Sequence, residues 1–241
     1  MYEIEKTITL DEDSPLLKSA VKGQDFKLVV NNDLDLYIYS ASRSLTALTS
    51  AIRKAQLSLS LLDIEHIKCL EYDDEVKSAY IEMLVENCII RVQSIYDRVL
   101  ILINKVLDLG INNESINHNL LVNNEHVKKF NIDSKIKNIN KKCNEYRFVR
   151  NTVIHHDRYS EEELDYLTTL ISTNHLAREV GRQEIVEKEI IETITANYLG
   201  IKKEELERYF SGIEEKLSEL FDLLEKVYKY KKIQISKILK K

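Results

Sequence analysis

Between Ile81 and Leu109 apolar side chains recur at alternating spacings of four and three: Ile81, Val85, Cys88, Val92, Ile95, Val99, Leu102, Val106 and Leu109. That spacing lines one face of an α-helix and leaves no register in which a strand could bury the same residues. Met83, Ile90 and Ile101 make a second apolar side, interrupted by Asp97 and Asn104, so the segment 78–109 reads as a central helix covered on two sides. The spacing recurs in Ala41, Leu45, Leu48, Ile52, Ala55, Leu59 and Leu62, and again in Leu206, Phe210, Ile213, Leu217, Leu220, Leu224 and Val227. One proline and five glycines in 241 residues leave such helices uninterrupted. An all-α fold follows.

Other segments are read from local signals. Residues 2–10 alternate (Tyr2, Ile4, Ile8, Leu10) and Phe26 to Val30 is a short apolar run, so short strands are expected in an N-terminal extension, residues 1–32. Tyr72, Asp73 and Asp74 form a polar break, and Gly110 is expected to end the central helix. The Asn-rich stretch 112–124 predicts a loop, because Asn competes with the backbone for hydrogen bonds. Ser134 is the expected N-cap of the next helix, Ser160 with Glu163 makes a capping-box pattern, and a long heptad helix is expected beyond Gly200. This places a helical bundle at 33–175 and a C-terminal helical extension at 176–241, which packs on the bundle or at a dimer interface.

Cys69, Cys88 and Cys143 are distant from one another and form no C-x-x-C pair, so neither a disulfide framework nor a zinc site is indicated and a reducing cytoplasm is expected. No stretch approaches the roughly 18 apolar residues of a membrane helix, and the first ten residues carry acids where a signal peptide is basic. Export and membrane insertion are therefore not expected. The net charge of −5 is unevenly spread: residues 128–158 carry nine Lys or Arg against three acids, and 226–241 carry seven Lys and no acid, which leaves −18 for the rest. A polyanion would be drawn to those two segments only.

One constellation suggests chemistry. Ile132, Ile136, Ile139, Cys143, Tyr146, Arg150 and Val153 continue the four-three spacing, so a single helix is expected from 134 to 156 and Arg150 takes a place the apolar seam would otherwise fill. A buried guanidinium is costly unless it is paired or faces an anion. Asn151 and His155, four residues apart, share a helix face, and His156, Asp157, Arg158 and Tyr159 follow. The run Arg150, Asn151, Thr152, Val153, Ile154, His155 resembles the HEPN superfamily, whose ribonuclease members carry Arg, often a polar neighbour, and His near a helix end. The likeness of pattern covers about residues 34–175.

That resemblance implies a HEPN-like four-helix bundle and a metal-independent endoribonuclease without cofactor, cleaving RNA by attack of its own 2′-hydroxyl. It implies a toxin or phage-defence effector with an antitoxin or regulatory protein as partner. His155 would move the proton, Arg150 would grip the phosphate, and Asn151 would orient His155 or the phosphate. On one ideal helix Arg150 and His155 point about 140° apart. Members of the superfamily meet this by dimerising, so a homodimer with two Arg and His sets in one cleft is expected.

Structural readings compete at each position. Arg150 could pair with an acid such as Asp97, and His155 and His156 could be a polar helix end favoured by the helix dipole. A metal could engage His155, His156, Asp157 and His175, although no His pair stands at i, i+4. The lysine tail reads first as a solvated face, and a catalytically silent module for oligomerisation or partner binding is the alternative to the enzyme.

Overall fold

A computed structural model describes residues 2–20, 28–155 and 158–239, which hold eleven α-helices and no strand. They are α1 (Glu3–Thr9), α2 (Pro15–Ala20), α3 (Asp33–Leu61), α4 (Ile64–Lys68), α5 (Asp74–Val106), α6 (His118–Asn123), α7 (Glu125–Lys129), α8 (Ile132–Cys143), α9 (Arg147–His155), α10 (Glu162–Glu179) and α11 (Lys188–Leu239). Two compact units result, and they do not follow chain order. One comprises residues 1–52, 93–143 and 212–241, the other 53–92 and 144–211.

The four-three positions form the cores. In α5 every one of them from Ile81 to Val106 is buried, in α3 Ala41, Leu45, Leu48, Ile52 and Ala55 are, and in α11 so are all seven from Leu206 to Val227. Within the first unit the tyrosines close the core with polar tips satisfied, as buried phenols require. The Tyr37 hydroxyl donates to the Val106 carbonyl at 2.9 Å, and its ring stacks on Tyr228 at 5.5 Å. Tyr228 donates to Asp11 at 2.8 Å, and Asp11 also takes Lys232 at 2.7 Å.

Several local expectations are corrected. The N-terminal alternation does not make a strand: Ile4 and Ile8 are one helical turn apart and fully buried on α1, while position 6, which a strand would need apolar, is Lys6. Of the Phe26–Val30 run, Phe26 and Lys27 lie outside the described residues, and residues 28–30 carry no regular structure. The Asn-rich stretch is not a plain loop, because Asn117 and Asn124 cap α6 and α7: their Oδ1 atoms accept from Leu120 N–H at 3.0 Å and His126 N–H at 2.9 Å. The residue type that disfavours a helix interior starts two short helices.

The central helix stops at Val106, before Gly110, because Asn104 turns the chain. Its buried amide donates to Ile111 O at 2.8 Å and accepts from Ile111 N at 3.2 Å, with Asp108 at φ 49° in the left-handed region. Ser134 caps nothing: α8 begins at Ile132, and the Ser134 hydroxyl donates to Asn131 O at 3.0 Å. Ser160 likewise donates to Asp165 at 2.6 Å, and Glu161 holds the N-cap position of α10. Gly200 bounds nothing either, since α11 runs through it. A glycine in a helix interior costs roughly 1 kcal/mol, a penalty outweighed by burial of Leu199 and Leu206 on either side of it.

Candidate active site

All the residues of the Arg-to-His run lie on α9, in the second unit. The single helix expected across 134–156 is two helices, α8 and α9, parted by a turn at 144–146. There Asn144 O takes the N–H of Arg147 at 3.1 Å, and the Tyr146 side chain turns onto α11, its ring 4.6 Å from that of Tyr209 and its hydroxyl donating to Glu205. Regular α-helix resumes at Arg147, and Arg150 N–H donates to Tyr146 O at 2.9 Å.

No residue of α9 is fully buried. Val149 and Val153, half-buried, pack with Tyr146 against a core cluster that includes Leu164, Leu167 and Leu206. Arg150 borders that apolar stripe and is itself half-buried. Its guanidinium donates twice to Asn151 Oδ1, from Nη2 at 2.8 Å and from Nε at 3.3 Å. The Asn151 carboxamide oxygen therefore faces the arginine fork. His155 is exposed at the last position of α9, and the helix stays regular up to it, so the angular offset from Arg150 persists. Phe148, on the same outward face as His155, is 88% exposed.

Beyond α9 the chain returns to α5 and α10. Arg158 pairs with Glu82 at 3.2 Å and Asp165 at 2.9 Å, and Tyr159 N–H donates to Glu86 at 2.9 Å. Burial holds the Glu82 carboxyl above its ordinary value despite Arg158. Tyr159 is buried, and its hydroxyl donates to Glu161 Oε2 at 2.6 Å.

A polar cluster the sequence reading missed lies beneath this segment. Lys202 of α11, with a side chain only 4% exposed, donates to Glu161 Oε1 at 2.7 Å and Glu205 Oε2 at 2.6 Å. Tyr198 adds a hydrogen bond to Glu161 Oε2 at 3.2 Å. Burial alone would lower the lysine's pKa, but its two carboxylate partners outweigh it and the value is raised. Burial would likewise raise Glu205, yet hydrogen bonds from Lys202 and Tyr146 leave it below the usual carboxylate value. Burial first, and then the nearby carboxylates, push the Tyr146 and Tyr159 hydroxyls well up. The signal was available: Lys202 stands three after Leu199 and four before Leu206, a cation at an apolar seam position like Arg150. Reading Gly200 as a boundary hid it.

Asp97, the acid considered as a structural partner for Arg150, accepts from Gln93 at 2.9 Å. Of the residues considered for metal, His156 and Asp157 lie outside the described residues, and His175 stands 3.4 Å from Glu179 and 3.6 Å from Glu75. Among the described residues no group of three or more His, Cys, Asp or Glu is arranged to hold an ion. In the lysine tail, Lys232 is taken up by Asp11 and Asp13 and Lys229 by Glu225. No helix among the described residues is long and apolar enough to cross a membrane.

An all-helical chain that presents Arg, Asn and His on one short helix has the makings of a HEPN domain. Residues 33–232 match the HEPN_Cthe2314-like HEPN family, and the chain belongs to it. No curated protein and no solved structure matches the chain.

Proposed function

We propose that this protein is a metal-independent endoribonuclease of the cytoplasm, acting as a toxin or phage-defence effector under the control of an antitoxin or regulatory protein. One observation carries the reading: inside the family match, one helix holds a guanidinium oriented by a neighbouring amide and ends on an exposed imidazole. The chemistry needs no cofactor. His155 takes the proton of a ribose 2′-hydroxyl, whose oxygen bonds to the adjacent phosphorus as the bond to the 5′-oxygen breaks. Arg150, which keeps its proton at neutral pH, stabilises the charge that builds on the phosphoryl oxygens. The products are a 2′,3′-cyclic phosphate and a 5′-hydroxyl.

The angular offset between Arg150 and His155 supports a homodimer in which two α9 helices share a cleft. The second copy's histidine then protonates the departing 5′-oxygen. Arg147, exposed one turn before Arg150, adds charge for the RNA backbone, so binding weakens steeply with salt. Exposed Phe148 and Ile154 on the same helix favour a second reading, a silent module for oligomerisation or partner binding. Incubation of the purified protein with total RNA in EDTA decides between them. Cleavage that leaves cyclic-phosphate ends supports the enzyme, and intact RNA at high protein concentration supports the module.

A further inference from the structure

We infer that Lys202 is a positioning residue: it sets the geometry of α9 by joining, through Glu205 and Glu161, the two tyrosines that bracket that helix. Tyr146 lies immediately before α9 and Tyr159 shortly after it. Tyr146 donates to Glu205 and Tyr159 to Glu161, and both carboxylates close on the one ammonium at 2.6 and 2.7 Å. The Lys202 ammonium also sits 5.9 Å from the centre of the Tyr159 ring. The helix itself buries no residue, and half-buried Val149 and Val153 carry its contact with the core cluster.

Apolar contact of that kind is non-directional and tolerates sliding and rotation, whereas hydrogen bonds to carboxylates held by a buried lysine do not. The tie reaches the site directly, because Tyr146 O accepts the Arg150 N–H at 2.9 Å. A helix released from it keeps Arg150 and His155 but holds them less often in a productive arrangement. Misplacement on the order of 1 Å can cost about 10²-fold in rate.

The deciding variant is the full chain carrying Tyr146→Phe and Tyr159→Phe together. It removes two hydroxyls while leaving both lysine–carboxylate pairs intact, so the core that Lys202 supports is retained. Hydrogen exchange followed by mass spectrometry is expected to show residues 147–155 exchanging at least roughly tenfold faster, with α10 unchanged. On a short RNA, kcat falls on the order of tenfold while KM stays within about twofold. Lys202→Arg, which keeps a charge between the carboxylates, retains the parent's protection of α9, and Lys202→Met loses it. Exchange of α9 in the double variant equal to that of the parent overturns the inference, as does a fall in kcat/KM that lies wholly in KM. The kinetic arm rests on the ribonuclease reading and the exchange arm does not. Faster exchange in a protein whose parent form leaves RNA intact therefore overturns the activity and upholds the anchor.

Discussion

Along the sequence α8 and α9 share one apolar spacing, but Ile132, Ile136 and Ile139 of α8 are fully buried while α9 buries no residue at all. α8 is held by area. Removing apolar surface from water fixes a helix firmly without regard to fine angles, and its polar ties, such as Lys135 to Glu219 at 2.7 Å, lie partly in solvent. α9 is tied at its flanks, through tyrosine hydroxyls to the two carboxylates of buried Lys202 and through Arg158 to Glu82 and Asp165, and its outward face is left to Phe148, Asn151 and His155. A helix fixed by directional bonds at its ends can present polar chemistry on a face that an area-fixed helix would have to sink into the core.

The largest effect expected from this contrast is on activity in α9 without stability. His155→Ala should lower the cleavage rate by about 10²- to 10⁴-fold while moving the urea midpoint little, because the residue is exposed at the last position of α9. RNA binding should survive that change and weaken in Arg150→Ala, as a filter-binding titration would show. Cleavage by His155→Ala at the parent rate in EDTA would sink the assignment of the base.

In α8 the reverse is expected. Ile136→Ala empties a fully buried site and should cost about 2–5 kcal/mol in chemical denaturation, with any loss of cleavage tracking the unfolded fraction. The same truncation at half-buried Val153 of α9 should cost distinctly less. Equal costs would mean that α9 is held by area after all.

Acid should weaken the polar ties of both helices by related routes. Hydrogen bonds from Lys135 and Lys216 hold the Glu219 carboxyl down to about 2, and Glu205 is lowered once its bonds from Lys202 and Tyr146 overcome the burial that would raise it. A depressed carboxylate contributes its stability in full above the unfolded value of roughly 4.3, and loses it as pH falls through the folded value. Glu205→Gln should therefore flatten the acid limb of a stability curve measured from neutrality downwards. Glu219→Gln should do so less, because its partners are solvent-screened. An acid limb unchanged in Glu205→Gln would show that its carboxylate adds nothing to the fold.

Phe148→Ala should produce the smallest change in the chain itself, within about 0.5 kcal/mol, since the ring is 88% exposed. If a second copy covers α9, the same variant should dissociate at concentrations where the parent is dimeric by light scattering. A parent monomeric throughout the micromolar range would remove the shared cleft.

Much of the fold was legible because long helices announce themselves by repetition. α3, α5 and the distal part of α11 could be read residue by residue from four-three spacing, and Arg150 stood out as a cation in an apolar seam. Short elements were not legible. Ile4 and Ile8 fit a strand or a helix equally until neighbours are known, and Asn117 and Asn124 read as loop formers until their side chains are seen to cap helices. The turn at 144–146 was hidden because the apolar spacing runs straight across it.

The amino-acid sequence by itself determined that this chain is helical, where its longest apolar faces lie, and that a cation, Arg150, interrupts an apolar spacing, since periodicity and residue type are local properties. Tertiary structure alone decided that the expected single helix breaks, that Asn151 turns to Arg150, and that Lys202 draws Glu161 and Glu205 together. Those outcomes join residues up to 59 positions apart, as Tyr146 and Glu205 are, and no local pattern encodes which distant carboxylate a tyrosine hydroxyl will find.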